Sequence, residues 1–186
     1  MRMFQIALIL VLQLSISAKG VWVFLDLGNT IIDTRTAGEF KYFPKAHEFL
    51  RALHNSGLSV AAISNIPESF GASHEEKLET LKDYIKENWQ DESFAWDELD
   101  AIFLPLSNAE LKPNETLYLR ALRNAEECPA IYISENLKEV QKAQELGMAA
   151  YLFDYKGTQA YPEVSHLEEF IIQNYHRDYS KDCIIK

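Results

Sequence analysis

The sequence predicts an α/β fold, a three-layer α/β/α sandwich built on a parallel sheet. Short apolar runs alternate along the chain with stretches in which apolar residues recur at spacings of three and four, as in amphipathic helices. Strands that alternate with helices form parallel sheets with right-handed crossovers. The 186 residues, of which 47% are hydrophobic, suit one globular domain, which we expect to span residues 19–186.

The elements of this fold follow from the apolar runs and from residues that favour helix ends. The first strand is the apolar run at 21–25, and a helix follows from Pro44 to Gly57, since proline suits the start of a helix and glycine its end. Ser73 and Glu76 have the spacing of a capping box for the next helix. We expect further strands at 58–63, 101–104, 130–133 and 149–153, and further helices after Pro113, up to Gly147, and from a capping box at Ser165 and Glu168.

The charge of the chain argues against one class of partner. The formal net charge is -10 at pH 7, with 18 Lys and Arg against 28 Asp and Glu. Nucleic-acid backbones are bound by clusters of Lys and Arg, and the sequence has no such cluster. We therefore expect no nucleic-acid partner, and the same charge disfavours binding to an anionic membrane surface.

The N-terminus has the layout of a secretory signal peptide. The chain starts with Met and Arg, residues 6–14 are apolar apart from one Gln, and small residues at 15–18 precede a Lys. A buried first helix or an uncleaved anchor is the alternative, but the apolar stretch is short against the about 20 residues that span a membrane. We expect a signal peptide at residues 1–18, a secreted or periplasmic protein, and no stable membrane anchor after cleavage.

The two cysteines, Cys128 and Cys183, leave two interpretations open. A disulfide between them would suit an oxidising compartment. Cys128 precedes a predicted core strand and Cys183 lies in a polar tail, so two free thiols fit the sequence equally well.

Polar side chains stand where the predicted strands end. Asp26 follows the apolar run at 21–25 and opens a glycine turn. A buried carboxylate is costly unless a metal, a charge or backbone donors surround it, so Asp26 is a candidate nucleophile; an Asp that only caps a turn is the alternative. The carboxyl ends of parallel strands meet at one edge, so later polar groups join the same site. These groups are Ser64 and Asn65, Lys112 before Pro113, and Glu135 followed by Glu139.

In this order, a carboxylate, a hydroxyl with an amide, an ammonium and two carboxylates, the motifs resemble those of the haloacid dehalogenase (HAD) superfamily. The resemblance covers nearly all of the chain after residue 20 and implies a HAD-like Rossmannoid sheet. Only residues 31–43 separate the Asp26 turn from the next helix, which is too short for the cap domain that many members insert there. The chain thus resembles the capless branch, whose open pocket would take a phosphorylated small molecule or a larger phosphorylated partner.

The resemblance also implies a role for each polar side chain. Asp26 would attack phosphorus and form an aspartyl-phosphate. Ser64 and Lys112 would act with it in catalysis and hold the transferring oxygens, and Lys112 would also steady Asp26 in its ionised form. Asn65 lies beside Ser64 in the substrate-binding segment, although shaping its own turn is the role that its position favours.

Mg²⁺ is the cofactor that the resemblance implies. Its ligands would be the Asp26 carboxylate, the Gly28 carbonyl and the Glu135 carboxylate, with Glu139 close by through water. Hard oxygen ligands and retained waters suit this ion.

Two residues depart from the pattern of the superfamily. Gly28 stands where the usual second Asp protonates the leaving oxygen and later activates water, so acid–base catalysis worth about 10²- to 10⁴-fold is lost unless Asp33 or Glu68 replaces it. Glu135 stands where paired acids or Gly-Asp are usual, and an octahedral ion tolerates its longer side chain poorly.

Three functions are compatible with these residues. The one we expect is an exported, magnesium-dependent phosphohydrolase acting on a phosphomonoester. The second is a degenerate HAD-like module that binds phosphate or a protein partner without turnover, which Gly28 and Glu135 favour. The third is hydrolysis of a carbon–halogen bond, against which Glu135 and Glu139 count because that reaction has no use for a metal site.

Overall fold

The computed structural model describes residues 20–154, 161–180 and 183. The predicted signal peptide at residues 1–18 lies outside these residues. Within the described ranges, no helix is long and apolar enough to cross a membrane.

Five parallel strands form the central sheet. In chain order, the strands of the described molecule are β1 (Trp22–Leu25), β2 (Ile32–Asp33), β3 (Lys41–Tyr42), β4 (Ser59–Ile63), β5 (Ala101–Phe103), β6 (Ala130–Ser134) and β7 (Ala149–Leu152). The sheet has the order β5-β4-β1-β6-β7, and every neighbouring pair in it is parallel. β2 and β3 form a separate antiparallel pair. The α/β fold predicted from the sequence is confirmed.

Helices cover both faces of the sheet. They are α1 (Ala46–Asn55), α2 (His74–Asn88), α3 (Glu115–Asn124), α4 (Leu137–Glu145) and α5 (Val164–Asn174). Successive side chains of a strand point to opposite faces, and in β1 Val23 and Leu25 pack in the core that α1, α2 and α5 share. Phe24 packs in the second core, which contains residues of α3 and α4. One strand thus supplies both cores, and the result is the expected three layers.

Helix-end signals in the sequence correspond to real helix ends at α1 and α2. α1 begins after Pro44 and ends before Gly57, whose φ of 78° lies in the left-handed region. At the start of α2, the Ser73 hydroxyl accepts from the Glu76 N–H, and the Glu76 carboxylate accepts from the Ser73 N–H. The predicted capping box of α2 is therefore confirmed.

The second predicted capping box, at Ser165 and Glu168, is wrong. α5 begins at Val164, and both residues lie inside the helix with exposed side chains. Leu167 and Ile171 of α5 are buried, and their packing fixes where the helix lies. Residues three apart share a helix face, so the Ser-x-x-Glu spacing also arises on an exposed face within a helix.

The register of the sheet brings the ends of its middle strands together. Leu25, the last residue of β1, pairs with Ala62 of β4 and Ile133 of β6. The Asp26 N–H continues this pairing and donates to the Ile133 carbonyl at 2.9 Å. The polar residues that follow β4 and β6 therefore lie beside Asp26. Between the Asp26 turn and α1, a fully described stretch, the chain forms the β2–β3 pair and no large cap.

Cys128 and Cys183, left open by the sequence, are joined by a disulfide bond. The bond ties the chain beyond α5 to the turn that precedes β6. Arg177 and Glu127 form an ion pair of 2.6 Å at the same place. The C-terminal segment is thereby fastened to the sheet edge opposite the carboxyl ends of the strands, since Cys128 stands before β6 begins.

Candidate functional site

Asp26 follows β1 directly, at the carboxyl edge of the sheet, and only 8% of its surface is exposed. The next residues form a tight turn, in which the Leu27 carbonyl accepts from the N–H groups of Ile31 and Ile32 at 3.0 and 2.8 Å. Asn29 has a φ of 55°, a left-handed conformation that Asn adopts more readily than most residues. The turn therefore holds Asp26 at a fixed point in the middle of the edge.

Lys112 is the cation of the site. Its Nζ lies 2.6 Å from Asp26 Oδ1, 2.7 Å from the Tyr132 hydroxyl and 2.8 Å from Glu139 Oε2. Two of the three N–H donors of the ammonium group go to Asp26 and Tyr132, and Glu139 forms an ion pair with it. The side chain is only 1% exposed. Lys112 is thereby fixed next to one oxygen of Asp26.

Asn65 fixes the backbone of Lys112. Its Oδ1 accepts from the Lys112 N–H at 2.7 Å, and its Nδ2 donates to the Lys112 carbonyl at 3.1 Å. Both ends of the amide are thereby used. This contact joins the end of β4 to the segment before α3 and supports the structural role that the position of Asn65 favours.

Tyr132 and Ser134, two hydroxyls on the buried strand β6, complete the surroundings of Lys112. The Tyr132 hydroxyl donates to Glu139 Oε2 at 2.6 Å, and Ser134 Oγ donates to the same oxygen at 3.2 Å. Asn136 Nδ2 donates to Glu139 Oε1 at 3.4 Å. No motif in the sequence points to Tyr132 or Ser134 as a site residue. The signal that could have found them is a hydroxyl in a fully apolar strand, which must find a partner when buried.

Glu139 is therefore a partner of Lys112 in this structure. It comes from the first turn of α4 and is 5% exposed. Its Oε2 accepts from the Tyr132 and Ser134 hydroxyls and forms the ion pair with Lys112. Its position next to a metal through a water stays a prediction. The contacts assign it to the fixing of Lys112.

Glu135, directly after β6, is tied to the Asp26 turn by Thr30. Thr30 Oγ1 donates to Glu135 Oε2 at 2.9 Å and accepts from the Glu135 N–H at 3.1 Å. Thr30 is fully buried, and its carbonyl accepts from the Tyr161 hydroxyl at 2.5 Å. Glu135 is thereby fixed in orientation towards the turn that carries Asp26.

The electrostatics of the site leave an excess of negative charge. Burial raises the pKa of Asp26 to about 7; Lys112 opposes the shift, and the charges of Glu139 and Glu135 add to it. Burial also raises the pKa of Tyr132 well above its usual range, so this hydroxyl stays protonated and donates to Glu139. Three carboxylates thus share one ammonium.

These residues fit a magnesium ion in charge and in donor type. Asp26 and Glu135 each bring a carboxylate to this edge, and one oxygen of each is held by a neighbouring side chain. The backbone carbonyl of Gly28, two residues after Asp26, would add a third oxygen ligand to the two carboxylates. In the described ranges no group of three or more His, Cys, Asp or Glu side chains is arranged as a metal site. Two carboxylates, one carbonyl and retained waters are a set that this ion accepts.

A cleft of about 370 Å³ starts at the site, where Gly28, Ser64 and Asn65 line it. Ser64 follows β4, and its N–H donates to the Phe103 carbonyl at 3.1 Å, which positions the residue at the cleft. A Cβ atom at Gly28 would meet only Thr34 Oγ1, at 3.8 Å, which is an ordinary contact distance. The space beside Gly28 would thus accommodate a larger side chain at this position.

Neither of the two substitute acids suits the role. Asp33 Oδ1 and Oδ2 accept from the Arg35 guanidinium at 2.8 and 2.6 Å, and these hydrogen bonds lower the pKa of Asp33. Glu68 accepts from Asn108 Nδ2 at 2.7 Å. Neither residue lines the cleft. The carboxyl groups of Asp33 and Glu68 are therefore not positioned to protonate a leaving group.

Comparison with known proteins identifies the fold. No protein-family model matches the sequence, and no curated protein matches it either. Among solved structures, a HAD-superfamily hydrolase from Ehrlichia chaffeensis is 15% identical with a TM-score of 0.53, over 84% of this chain and 97% of that one. D,D-heptose 1.7-bisphosphate phosphatase from B. bronchiseptica, complexed with magnesium and phosphate, is 14% identical with a TM-score of 0.53, over 82% and 98%.

A third similar structure is a HAD family enzyme from Bacteroides thetaiotaomicron, in complex with magnesium and inorganic phosphate. It is 13% identical, with a TM-score of 0.51, over 80% of this chain and 98% of that one. Identities this low establish a shared fold. The chain therefore has a HAD-like fold, a Rossmannoid parallel sheet without a large cap.

Proposed function

We propose that this protein is a magnesium-dependent phosphohydrolase of HAD type that cleaves phosphomonoesters through an aspartyl-phosphate on Asp26. The observation that carries the proposal is the position of Asp26: a buried carboxylate at the carboxyl edge of the sheet, with one oxygen held by Lys112 at 2.6 Å. The second oxygen is the attacking atom. Two similar folds are described with magnesium and phosphate, which supports the same ligands here.

The reaction has two steps. In the first, Asp26 Oδ2 attacks phosphorus, the bond from phosphorus to the ester oxygen breaks, and the leaving oxygen keeps the electron pair and takes its proton from water, because Gly28 supplies none. In the second, water attacks the aspartyl-phosphate, releases phosphate and restores the carboxylate.

The residues around Asp26 divide the remaining work. Lys112 orients the nucleophile and lowers its pKa against the effect of burial, and the Ser64 hydroxyl at the cleft would hold a phosphate oxygen. Steadying the ionised nucleophile is one of the two roles that the superfamily resemblance implies for Lys112.

Asp26, Glu135 and the Gly28 carbonyl would hold Mg²⁺. When bound, the ion supplies positive charge to the phosphoryl oxygens and offsets the excess of carboxylates. Thr30 keeps Glu135 oriented for this role.

We further propose export, with residues 1–18 as the signal peptide and a secreted or periplasmic destination. The Cys128–Cys183 disulfide supports this proposal because disulfides persist in oxidising compartments. The partner would be a phosphorylated small molecule or a larger phosphorylated partner.

A second candidate function is a HAD-like module that binds phosphate without turnover. Two residues favour it: Gly28 supplies no acid, and Glu135 has a longer side chain than the Asp usual at that position, which an octahedral ion tolerates poorly. In this candidate function the protein binds phosphate but does not hydrolyse a phosphate ester.

One experiment separates the two candidates. Phosphate release from 4-nitrophenyl phosphate is measured with Mg²⁺ and with EDTA, for the wild type, Asp26→Asn and the matched control Asp83→Asn, an exposed position on α2. The phosphohydrolase predicts magnesium-dependent release that Asp26→Asn abolishes and Asp83→Asn leaves intact. Release that survives in Asp26→Asn contradicts the assignment, and no release from the wild type, with phosphate still bound, favours the binding module.

A further inference from the structure

The cleft that begins at Gly28 and Ser64 extends away from the site between α2 and the segment before α1. Its volume is about 370 Å³. Beyond the site, its wall is mainly apolar and includes Ile32, Phe40, Ile66, Phe70, Tyr84 and Ile85. Because Gly28 and Ser64 belong both to the candidate site and to the cleft, a substrate whose phosphate lies at Asp26 has its leaving group at the mouth of this cleft.

Among the residues that the structure describes, no charged side chain lines the cleft, although 25% of the residues of the chain are charged. A nucleotide or a sugar bisphosphate would bring further anionic or hydroxyl groups, and these need Lys, Arg or several free donors. The polar groups present are few. The Asn65 amide is used by Lys112, and the Thr34 hydroxyl donates to Asn29. The wall therefore suits an apolar leaving group.

Three aromatic rings lie in the wall. The Tyr84 ring meets Phe40 at 5.5 Å between centroids and 73° between planes, and Phe70 at 5.6 Å and 66°. Tyr84 is 44% exposed, so part of its ring is open to a ligand. Aromatic rings prefer such edge-to-face or offset arrangements with one another, which makes a further ring the best-matched occupant.

We propose that this cleft binds the aromatic leaving group of an aryl phosphomonoester. The inference rests on the proposed phosphohydrolase function and names its substrate class. The bond from phosphorus to the aryl oxygen breaks as the bond to Asp26 forms, and the aryl oxide carries away the electron pair and is protonated by water.

The chemistry of position 28 points to the same class independently of the cleft. A phenol has a pKa of about 10, against about 15.7 for water, so an aryl oxide departs without an acid far more readily than an alkoxide. Gly28 lines the cleft and has no acid to give. An apolar aromatic wall and the absence of an acid are both suited to an aryl ester.

The test compares phenyl phosphate with acetyl phosphate, which also has a good leaving group but no ring. Three variants are measured with Mg²⁺: Tyr84→Ala removes the ring, Tyr84→Phe keeps it, and Phe170→Ala removes an exposed ring on α5 outside the cleft. We expect Tyr84→Ala to raise KM for phenyl phosphate about 3- to 10-fold, since an aromatic contact contributes that much. The KM for acetyl phosphate should rise less than that for phenyl phosphate, and Tyr84→Phe should keep a lower KM for phenyl phosphate than Tyr84→Ala. Phe170→Ala matches the wild type on both substrates.

A binding measurement separates failure of this inference from failure of the proposed function. Phenylphosphonate and methylphosphonate, which are not hydrolysed, are titrated calorimetrically into the wild type and Tyr84→Ala with Mg²⁺. Tighter binding of phenylphosphonate that Tyr84→Ala abolishes supports the aryl cleft even if no ester is turned over. Equal affinity for the two phosphonates, or a KM for phenyl phosphate that is the same in Tyr84→Ala and the wild type, contradicts the aryl cleft. Neither result contradicts the proposed phosphohydrolase function.

The aryl phosphate could be a small molecule or a phosphotyrosyl side chain, since the chemistry is shared. A phosphotyrosyl peptide is therefore assayed beside phenyl phosphate. A kcat/KM at least about tenfold higher for the peptide, equivalent to 1.4 kcal/mol of extra contact, identifies a peptide substrate. Equal or lower values identify a small aryl phosphate, and the Tyr84→Ala effect supports the cleft in both cases.

Discussion

Thr30 and Glu135 lie 105 positions apart in the sequence and hold each other by two hydrogen bonds, in which Thr30 Oγ1 donates to Glu135 Oε2 and accepts from the Glu135 N–H. One residue belongs to the turn of the proposed nucleophile and the other to the end of β6. The pair therefore fixes the distance between two proposed magnesium ligands, Asp26 and Glu135. Side chains that orient metal ligands in this way typically contribute 10- to 100-fold to metal affinity.

The first prediction follows from this pair. Thr30→Val keeps the shape of the side chain and removes the hydroxyl, so we expect the magnesium concentration for half-maximal activity to rise about 10- to 100-fold. Thr30→Ser keeps the hydroxyl and stays close to the wild type. Thr80→Val, at an exposed position on α2, is the matched control. A magnesium titration that is identical for Thr30→Val and the wild type contradicts the proposed role of Glu135.

A second prediction concerns the Tyr132 hydroxyl, which accepts from Lys112 and donates to Glu139. Tyr132→Phe leaves Lys112 with one acceptor fewer in a buried site. We expect a loss of about 1–3 kcal/mol in the free energy of unfolding and a lower kcat with little change in KM, because Lys112 orients the nucleophile. Tyr118→Phe is the comparison, since its hydroxyl donates to the Glu139 carbonyl at 3.4 Å and interacts with the Tyr132 hydroxyl. Equal losses in both variants would argue against a special position of Tyr132.

A third prediction uses the pKa of Asp26, raised to about 7 from its usual value of 3.8 chiefly by burial. A raised pKa means that the folded state favours the protonated carboxyl, so the metal-free protein loses stability as pH rises from about 4 to about 7. Asp26→Asn has no such titration. Its melting temperature should exceed that of the wild type at pH 8, and the difference should shrink towards pH 4, where the carboxyl is protonated.

Thermal melts in EDTA across this pH range measure the difference directly, at about 2–4 °C for each kcal/mol. Adding Mg²⁺ at pH 8 should then raise the melting temperature of the wild type and leave Asp26→Asn almost unchanged. A difference that is constant from pH 4 to pH 8 would mean that Asp26 does not titrate in this range.

The parts of the fold that the sequence predicts are those that depend on neighbours in the chain. The apolar run before Asp26 and the capping box of Ser73 and Glu76 are local patterns. The structure confirms the strand and the helix start that they predict. Ser165 and Glu168 have the spacing of a capping box but lie inside α5, which begins at Val164. A local spacing therefore does not by itself fix where a helix begins.

The candidate site likewise has residues that the sequence predicts and residues that it does not. Asp26, Ser64 and Lys112 are recognisable because each is a polar residue at an element end. The use of Tyr132 and Glu139 is not, since it depends on where α4 lies and on the pairing of β1 with β6, which joins residues as distant in sequence as Leu25 and Ile133. The contacts of Lys112 with Tyr132 and Glu139 follow from that packing.

A fourth prediction concerns the start of the mature chain. If residues 1–18 are a signal peptide, intact-mass analysis of protein purified from the native host should give a chain beginning near Lys19. Replacing the apolar residues at 6–14 by a shorter polar stretch should leave the protein unprocessed inside the cell. A purified chain that begins at Met1 contradicts cleavage, and protein found only in the cytosol contradicts export.

The last prediction concerns position 28, where a carboxylate can be restored. A Cβ at Gly28 meets only Thr34 Oγ1 at 3.8 Å, so Gly28→Asp should fold as the wild type does. We expect it to raise kcat for an alkyl phosphate more than for an aryl phosphate, because an alkoxide needs a proton to depart and an aryl oxide does not. The gain is some part of the about 10²- to 10⁴-fold that acid catalysis supplies. Gly28→Asn matches the new side chain in size without the acid and should show no such gain. If the Asp and Asn variants have the same ratio of alkyl to aryl turnover, the missing acid at position 28 is not what limits this site.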